Sequence, residues 1–494
     1  MAQQTAKLSA QLWATKPLAR ILAETDGGTH SLRRTLGPWN LVALGIGAII
    51  GAGLFSLTGI AAAEHAGPAI ALSFVLAAIA CALAGFCYSE FATMIPIAGS
   101  AYTYAYATMG ELVAWIVGWN LVLEYAVGAA TVSISWSAYV VSLLHDLGID
   151  LPPALVASPW QPVQLPSGEL VHGVVNLPAV LIVVLISALL IVGIKESALV
   201  NAIVVTIKVA VVVVFIAVGA WYVKPANYVP FIPENTGVFG EFGWSGVLRA
   251  AGIIFFAYIG FDAVSTAAQE ARHPQKDMPV GIIGSLAVCT LLYVAFSVVM
   301  TGLAHYTEFK GAAAPVAVAI AYTPFEWLRP AVKLAIISGF TSVILVMLLG
   351  QSRVFFSMAH DGLLPSTFSK IHHRYRTPYR SNLLLMAGVG AMGAFMPISL
   401  VAQMTSIGTL FAFAIVCAGV PLMRRSHPHA PRPFRTPLVP LLPICGVAVN
   451  LLLMYGLGWP NWVRLLGWLA IGLLIYFTYG RRHSRLGREL AARS

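Results

Sequence analysis

The residue with the clearest capacity for chemistry is a lysine in an otherwise apolar stretch. Lys208 lies in the run SALVNAIVVTIKVAVVVVFIAVGAWYV, and no other charged side chain occurs between Glu196 and Lys224. A helix that starts near Ala198 carries Lys208 ~15 Å along its axis, close to the middle of a ~30 Å hydrocarbon core. A charge at that depth is costly, so it usually serves transport. The alternative is a lysine that snorkels or pairs with a neighbouring helix.

Two carboxylic acids also lie inside apolar segments. Glu124 falls ~20 Å along a helix that begins near Glu111. Three roles stay open for it: a counter-ion for Lys208, a recognition group for a cationic substrate side chain, or a protonated acid hydrogen-bonded to a helix. Asp262, in FFAYIGFDAVSTAAQE, either contacts substrate directly or caps the helical segment that follows it.

The composition restricts the class of protein. Hydrophobic residues make up 59 % and charged residues 10 % of the 494 residues, against roughly 25 % charged in soluble domains. This predicts a polytopic membrane protein. The five cysteines lie in apolar segments without metal-ligand spacing, so we expect core residues, with no disulfide framework and no metal. Motifs of hydrolases, metalloproteases and ATPases do not occur, which argues against an enzyme and against any cofactor.

Apolar windows of ~20 residues predict twelve membrane-spanning helices, called spans one to twelve below. The first begins only near Leu36 and many follow it, which argues against a cleaved signal peptide. The spans lie near residues 38–62, 68–93, 111–144, 176–196, 198–223, 246–270, 279–304, 331–358, 380–397, 402–423, 436–457 and 461–480.

The basic residues predict the orientation of these spans. With the N-terminus in the cytoplasm, 22 of the 29 Lys and Arg residues fall on the cytoplasmic side, six fall on the opposite side, and Lys208 lies within the membrane. By the positive-inside rule, both termini are cytoplasmic, and the expected location is the inner (plasma) membrane. The net charge of +10 is thus a signal of topology, and no nucleic-acid partner is needed to explain it.

Glycines cluster in span one, which reads LGPWNLVALGIGAIIGAGLFSLTG. The string GIGAIIGAG lacks the spacing of a dinucleotide loop, and no strand precedes it. Helix packing through Gly47 and Gly51 is one interpretation. The functional one is a break at Gly51–Ala52–Gly53, which a membrane tolerates only where the backbone lines a cavity. A second break is predicted beside Gly260 in span six. Paired breaks indicate inverted repeats with a binding site between them.

A pair of broken helices can bind a free amino acid by its backbone groups. After a break at Gly51, the outer half of span one presents N–H groups and the positive end of its dipole to the cavity, which suits an α-carboxylate. The N–H groups concerned are those of Ala52, Gly53 and Leu54. The inner half of span one and the outer half of span six also end at the breaks, and the carbonyl groups at these two ends suit an α-ammonium. These carbonyls are near Ile46, Gly47, Phe255 and Phe256.

Four motifs resemble one known family. GIGAIIGAGLFSLTG, GSAYTYAYATMGE, FFAYIGFDAVSTAAQE and GQSRVFFSMAHDGLLP are similar to those of the amino acid–polyamine–organocation superfamily, specifically to bacterial members of its cationic amino acid transporter subfamily. The resemblance implies the LeuT-like fold, an all-α protein with a five-plus-five inverted repeat, broken helices one and six, and helices eleven and twelve outside the repeat. It also places Phe256 and Ile259 at the substrate. Ala52 stands where many relatives have Ser or Thr, which removes a hydroxyl contact but leaves backbone binding.

The predicted function is transport of L-amino acids. Ala52, Gly128 and Phe256 describe a compact pocket, so we expect small neutral amino acids among the substrates, with cationic ones left open. In the first interpretation the carrier is proton-coupled, and the Lys208 ammonium stands where relatives of this fold bind sodium. In the second it is an exchanger or polyamine carrier in which Lys208 is structural. The expected partners are the substrate, protons and the lipid bilayer, and the sequence assigns no accessory subunit.

The chain is accordingly divided into five parts. Residues 1–36 form a cytoplasmic tail, residues 37–223 the first repeat and residues 246–424 the second. Residues 436–480 form helices eleven and twelve, and residues 481–494 form a second cytoplasmic tail.

Overall fold

A computed structural model describes residues 11–18, 21, 36–96, 100–160, 162–164, 170–193, 198–312 and 314–493. Most of the predicted N-terminal tail, together with Lys195 and Glu196, lies outside these ranges. The α-helices, numbered along the chain, are α1 (Pro38–Ile49), α2 (Thr58–Ala61), α3 (Ile70–Met94), α4 (Ser100–Thr108), α5 (Glu111–Val122), α6 (Gly128–Asp146), α7 (Leu177–Val192), α8 (Ala198–Gly219), α9 (Gly243–Ile254), α10 (Ala263–Thr266), α11 (Pro274–Leu303), α12 (Pro315–Ile320), α13 (Leu328–His360), α14 (Tyr379–Phe395), α15 (Ile398–Ser426), α16 (Leu441–Gly456), α17 (Trp459–Ile475), α18 (Arg481–His483) and α19 (Arg485–Arg493).

Shorter turns connect several of these helices. The π-helical turns are Gly53–Leu57, Ala62–Ala66, Leu123–Val127 and Tyr476–Gly480, and the 3-10 turns near the breaks are Phe255–Tyr258 and Ala268–Glu270. Pro38 and Pro274 begin α1 and α11, at a position where the backbone N–H has no partner within the helix. Two short strands, Pro162–Gln164 and Leu170–His172, pair antiparallel in a small hairpin in the loop between α6 and α7, and the predicted all-α class is confirmed for the rest of the described chain.

The helices confirm a polytopic membrane protein. Within the described ranges, eight helical segments are long and apolar enough to cross a membrane, and α1, α7 and α16 are shorter apolar helices. The division into twelve spans stays a prediction. Cys81, Cys87, Cys289 and Cys417 are buried, as expected of core residues, whereas Cys445 is exposed on the outer surface of α16; the core interpretation is wrong for that cysteine.

The packing of the helices has an internal regularity. Span one packs against span seven (α1 on α11), and span six packs against span two (α9 on α3). Span five packs against span eight (α8 on α13), and span ten packs against span three (α15 on α6). In both cases, adding five to both span numbers of the first pair gives the second pair, if the numbering returns to one after ten. The pair one and seven, for example, becomes six and two. Contacts between α6 and α13 and between α7 and α14 map onto themselves under the same operation.

The beginning of α1 is fastened to the end of the broken sixth span. The backbone N–H of Leu36 donates to the Glu270 carbonyl at 3.0 Å, and the N–H of Arg272 donates to the Leu36 carbonyl at 2.9 Å. These two hydrogen bonds form an isolated parallel bridge. The ends of spans one and six that are predicted to be cytoplasmic are therefore joined through their backbones.

The segment 11–18 is bound at a different place, beside the C-terminal end of α13. Lys16 pairs with Asp361 at 2.9 Å, and both side chains are largely buried. The Tyr102 hydroxyl donates to the other oxygen of Asp361 at 2.7 Å. A second buried acid, Glu111, accepts hydrogen bonds from Gln11, Tyr106, Tyr476 and Ser484. Together these acids tie both ends of the chain to the beginning of α5 and the end of α13.

Candidate substrate and proton site

The break predicted in span one is present. Helix α1 ends at Ile49, the backbone of Ile50 is extended at φ −70° and ψ 106°, and the chain resumes as the π-helical turn Gly53–Leu57. The N–H of Leu54 donates to the Gly51 carbonyl at 3.2 Å, so the expectation that this group faces the cavity unbonded is wrong. The N–H groups of Ala52 and Gly53 begin the new segment, where no carbonyl of that segment precedes them.

The break predicted in span six is also present. Helix α9 gives way to a 3-10 turn at Phe255, and Ile259 is extended with ψ 135°. Gly260 has φ +115°, in the region that favours glycine. A Cβ on Gly260 would lie 2.9 Å from the Ala48 carbonyl oxygen of α1. Glycine is needed here both for the backbone angle and for the close approach of the two broken spans.

The two breaks are in direct contact. A Cβ on Gly53 would lie 2.2 Å from the Cα of Ala257, which leaves no room for any side chain. A Cβ on Gly51 would lie 3.4 Å from Val343 on α13, an ordinary contact. Gly53 therefore serves close packing of the two broken spans, while Gly51 retains space around it.

Lys208 reaches from α8 to the end of α1. Its side chain is buried, with 1 % exposure, and its Nζ donates to the Gly47 carbonyl at 2.7 Å. Gly339 on α13 makes room for the aliphatic stem, because a Cβ there would lie 3.0 Å from the lysine Cε. The Lys208 side chain thus joins span five to α1, the first half of the broken span one. Its predicted role in proton coupling stays a prediction.

Three of the four carbonyl groups predicted to bind an α-ammonium have partners within the protein. The Ile46 carbonyl accepts from the Ile50 N–H at 2.9 Å, and the Phe256 carbonyl accepts from the Ile259 N–H at 3.2 Å. The Gly47 carbonyl accepts from Lys208. Each carbonyl oxygen has a second lone pair, so these groups can accept one more hydrogen bond, and their role in binding an α-ammonium stays a prediction.

Tyr293 of α11 is a site residue that the sequence analysis missed. Its hydroxyl lies 3.0 Å from the Ile49 carbonyl oxygen and 3.0 Å from the Ala257 carbonyl oxygen, so one side chain links both breaks. The residue is fully buried. A tyrosine in the middle of an apolar span is itself a signal, because a buried hydroxyl usually has a hydrogen-bond partner.

Glu124 and Asp262 lie together, next to the second break. The Asp262 carboxylate accepts from the Tyr125 hydroxyl at 2.5 Å and from the Ser100 hydroxyl at 3.4 Å. Glu124, in the π-helical turn Leu123–Val127, is close to Asp262 and Thr409, yet neither of its oxygens is in hydrogen-bonding geometry with a described residue. Among the described residues no ion pair joins Glu124 to Lys208.

The remaining predicted pocket residues are buried around the breaks. Phe256 is 4 % exposed and Ile259 is 2 % exposed. The ring of Phe255 instead packs on Phe413, with 5.6 Å between ring centroids. A Cβ on Gly128 would lie 3.2 Å from Met347 Sδ, so little space is left on that side. These side chains leave little exposed surface around the breaks, and their role in binding substrate stays a prediction.

Comparison with known proteins places this geometry in a family. The family model described as amino acid permease matches residues 36–478. The chain is 44 % identical to the branched-chain amino acid permease BcaP of Bacillus subtilis (strain 168), over 97 % of this chain and 100 % of the relative. It is 42 % identical to the methylthioribose transporter of the same organism, over 97 % and 99 %.

A plant relative extends the comparison. The chain is 31 % identical to the vacuolar cationic amino acid transporter 4 of Arabidopsis thaliana, over 94 % of each chain. The resemblance to the amino acid–polyamine–organocation superfamily, inferred above from four motifs, is confirmed by these matches. The chain is a transporter rather than an enzyme, and it belongs to the amino acid permease family.

Proposed function

We propose that this permease imports L-amino acids across the plasma membrane by alternating access, and that protons drive the uptake. The observation that carries the proposal is the 2.7 Å bond from the Lys208 ammonium to the Gly47 carbonyl. A charge-assisted hydrogen bond is roughly twice as strong as a neutral one. Loss of the proton therefore weakens the link between α8 and the broken span one, and protonation restores it.

The paired breaks support binding of a zwitterion. The N–H groups of Ala52 and Gly53 and the positive end of the following helical turns suit a carboxylate. The carbonyls of Gly47 and Phe256, each with a second lone pair, suit an ammonium. The group that both features recognise is the backbone of an amino acid, whatever its side chain.

The side-chain range is proposed from the size of the pocket. Ala52, Phe256 and the contact of Gly128 with Met347 favour small neutral amino acids, and cationic ones stay open. The names of the relatives cover branched-chain amino acids, cationic amino acids and methylthioribose, so membership of the family does not by itself determine the substrate. Methylthioribose has neither a carboxylate nor an ammonium group, and the paired breaks therefore favour the amino acid.

The packing regularity supports the proposed architecture. Contacts that recur when five is added to the span numbers are those expected of a five-plus-five inverted repeat, residues 37–223 and 246–424. Residues 436–480 pack outside the repeat. Most basic residues lie on the side of the membrane to which both chain termini are assigned, and this excess favours cytoplasmic termini.

The test is uptake into proteoliposomes that hold the purified protein. Labelled alanine and leucine are supplied outside at acidic pH, with an alkaline interior and no sodium. We expect accumulation above the external concentration and its collapse on addition of a protonophore. Accumulation that requires sodium would contradict proton coupling. Transport that requires an amino acid inside the vesicle and does not respond to the pH gradient would contradict it too, and would favour an exchanger.

A further inference from the structure

The last quarter of the chain has an unusual charge pattern. Residues 362–488 contain no aspartate or glutamate, although they contain thirteen Arg and Lys residues. Of these thirteen, Arg464 alone is assigned to the outer side in the topology proposed above. Such a stretch carries basic charge on one face of the membrane without acids of its own to balance it.

Two segments of this stretch meet beside the end of α13, where a Cβ on Gly362 would lie 2.3 Å from the His483 carbonyl oxygen. The Arg485 N–H donates to the Asp361 carbonyl at 3.0 Å, and its guanidinium lies 3.4 Å from His360. The loop that follows Asp361 carries Lys370 and Arg374, both exposed, and α18 and α19 carry Arg482, Arg485 and Arg488, all exposed. We call these five residues, Lys370, Arg374, Arg482, Arg485 and Arg488, the basic face.

Three acids adjoin the basic face. Glu489 follows Arg488 on α19 and is exposed, so it offsets one of the five cations. The other two acids, Asp361 and Glu111, are occupied by other groups. Asp361 is held by Lys16 and Tyr102. Glu111 accepts four hydrogen bonds and has no exposed surface. Neither carboxylate is presented to the surface, so neither neutralises the basic face.

Apolar side chains are exposed among these cations. Ile371 is 53 % exposed and Tyr375 is 38 % exposed in the loop, and Leu490 of α19 is 37 % exposed. Basic residues interleaved with exposed apolar and aromatic ones, beside a membrane span, are typical of segments that lie at the lipid interface. Cations next to the membrane attract anionic headgroups within a Debye length.

We propose that the basic face binds the headgroups of anionic phospholipids of the inner leaflet, with Ile371 and Tyr375 inserted at the interface, and that bound lipid accelerates transport. The face adjoins Asp361 and segment 11–18, so lipid bound there contacts the region in which both ends of the chain are tied to α13. The proposal rests on the proposed cytoplasmic location of this end of the molecule.

The test compares vesicles of phosphatidylcholine alone with vesicles that also contain phosphatidylglycerol. Exchange of labelled for unlabelled amino acid is measured without a pH gradient, so failure of proton coupling does not affect the readout. We expect exchange by the wild-type protein to rise several-fold with phosphatidylglycerol. The variants K370Q/R374Q and R485Q/R488Q should lose most of this rise. The control K224Q/K310Q removes two cations from the opposite side and should keep it.

Binding is measured separately, so that a poorly folded variant or an inactive preparation does not obscure the result. Short-chain phosphatidylglycerol should raise the Tm of the wild-type protein in detergent, and each double variant should need about thirtyfold more lipid for the same shift, the loss expected for two interfacial cations. Equal lipid responses in the variants and the wild type would overturn the proposal. An equal Tm shift with inorganic phosphate would also overturn it, because the face would then be an anion site without a lipid requirement.

Discussion

The bond between Lys208 and Gly47 joins span five to the broken span one through a charged group. Lys208 is 1 % exposed, and the Gly47 carbonyl oxygen accepts a hydrogen bond from its Nζ at 2.7 Å. The charged group therefore lies at the contact between α8 and α1. Any process that changes its charge also changes the strength of the bond between these two helices.

Replacing Lys208 with Met tests this role. Met keeps most of the length of the side chain and removes the proton, so we expect the variant to lose accumulation along a pH gradient while it still binds substrate in a thermal-shift assay. Lys310→Met, which removes an exposed lysine on the opposite side, is the control and should behave as the wild type. Continued concentration of substrate by the Lys208 variant would show that the proton travels by another group, with Glu124 the next candidate.

Replacing Tyr293 with Phe removes the hydroxyl between the two breaks but keeps the ring against Phe74 and Tyr258. Leaving a buried hydrogen-bonding group without its partner costs ~1–3 kcal/mol, so we expect a lower Tm and a reduced rate of uptake. Tyr228→Phe is the matched control, since it removes a hydroxyl that bonds a carbonyl of the same helix away from the breaks. Uptake and stability unchanged in the Tyr293 variant would mean that the breaks hold their shape without it.

At the level of single residues, the sequence predicted those whose chemistry is conspicuous in an apolar span. Lys208, Glu124 and Asp262 are all buried near the breaks. The partners could not be predicted, because Glu124 and Asp262 are distant in sequence and come together only in the fold. Tyr293 was missed because its function depends on two carbonyls that face it only after the helices break.

At the level of the helix, the two glycines of the first break have different roles. Gly53→Ala places a methyl group against the backbone of Ala257, which cannot move aside as a side chain can, so we expect loss of uptake and a lower Tm. Gly51→Ala meets only Val343 at an ordinary contact distance, and uptake should be largely kept. Similar results for both variants, in uptake and in Tm, would contradict the close contact of the two breaks.

The pairing of Lys16 with Asp361 makes a prediction about the ends of the chain. Asp361→Asn removes the carboxylate charge that pairs with the buried Lys16 ammonium, a change that costs ~3–5 kcal/mol in buried pairs. We expect a clear decrease of Tm and easier proteolysis within the first twenty residues. The charge exchange of Lys16→Asp with Asp361→Lys should recover part of the loss. No difference between Asp361→Asn and the wild type would show that this pair does not hold the segment.

The helices themselves were largely predictable, since long apolar runs need no partner to be recognised. Breaks were predictable where glycine and a charged residue coincide, as at Gly260 and Asp262. The π-helical turns and the hydrogen bond from the Leu54 N–H to the Gly51 carbonyl were not predictable, because they depend on the local backbone conformation after the break. The exposure of Cys445 depends on which face of α16 is covered, and hydropathy does not report that.

At the level of the whole molecule, recognition through broken helix ends predicts which compounds compete for uptake. Amino acid methyl esters, which lack the carboxylate charge, and decarboxylated amines should compete poorly with alanine or leucine. Putrescine and methylthioribose should compete poorly for the same reason. Inhibition by putrescine equal to that of the best amino acid would contradict the zwitterion site and favour a polyamine carrier. Inhibition by methylthioribose alone would assign the pocket to a different class of substrate.

The backbone bridge at Leu36 bears on leakage. It joins the ends of spans one and six through two hydrogen bonds, from Leu36 to the Glu270 carbonyl and from Arg272 to the Leu36 carbonyl. Neither end can swing away alone without breaking both bonds, so the two ends are expected to leave the rest of the protein together. A partly open state, in which only one of the two ends has moved and water and protons pass but the substrate does not, is therefore not expected to form. Slippage, the passage of protons without substrate, should consequently be slow, and it should increase when Leu36 is replaced by proline, which has no N–H to donate.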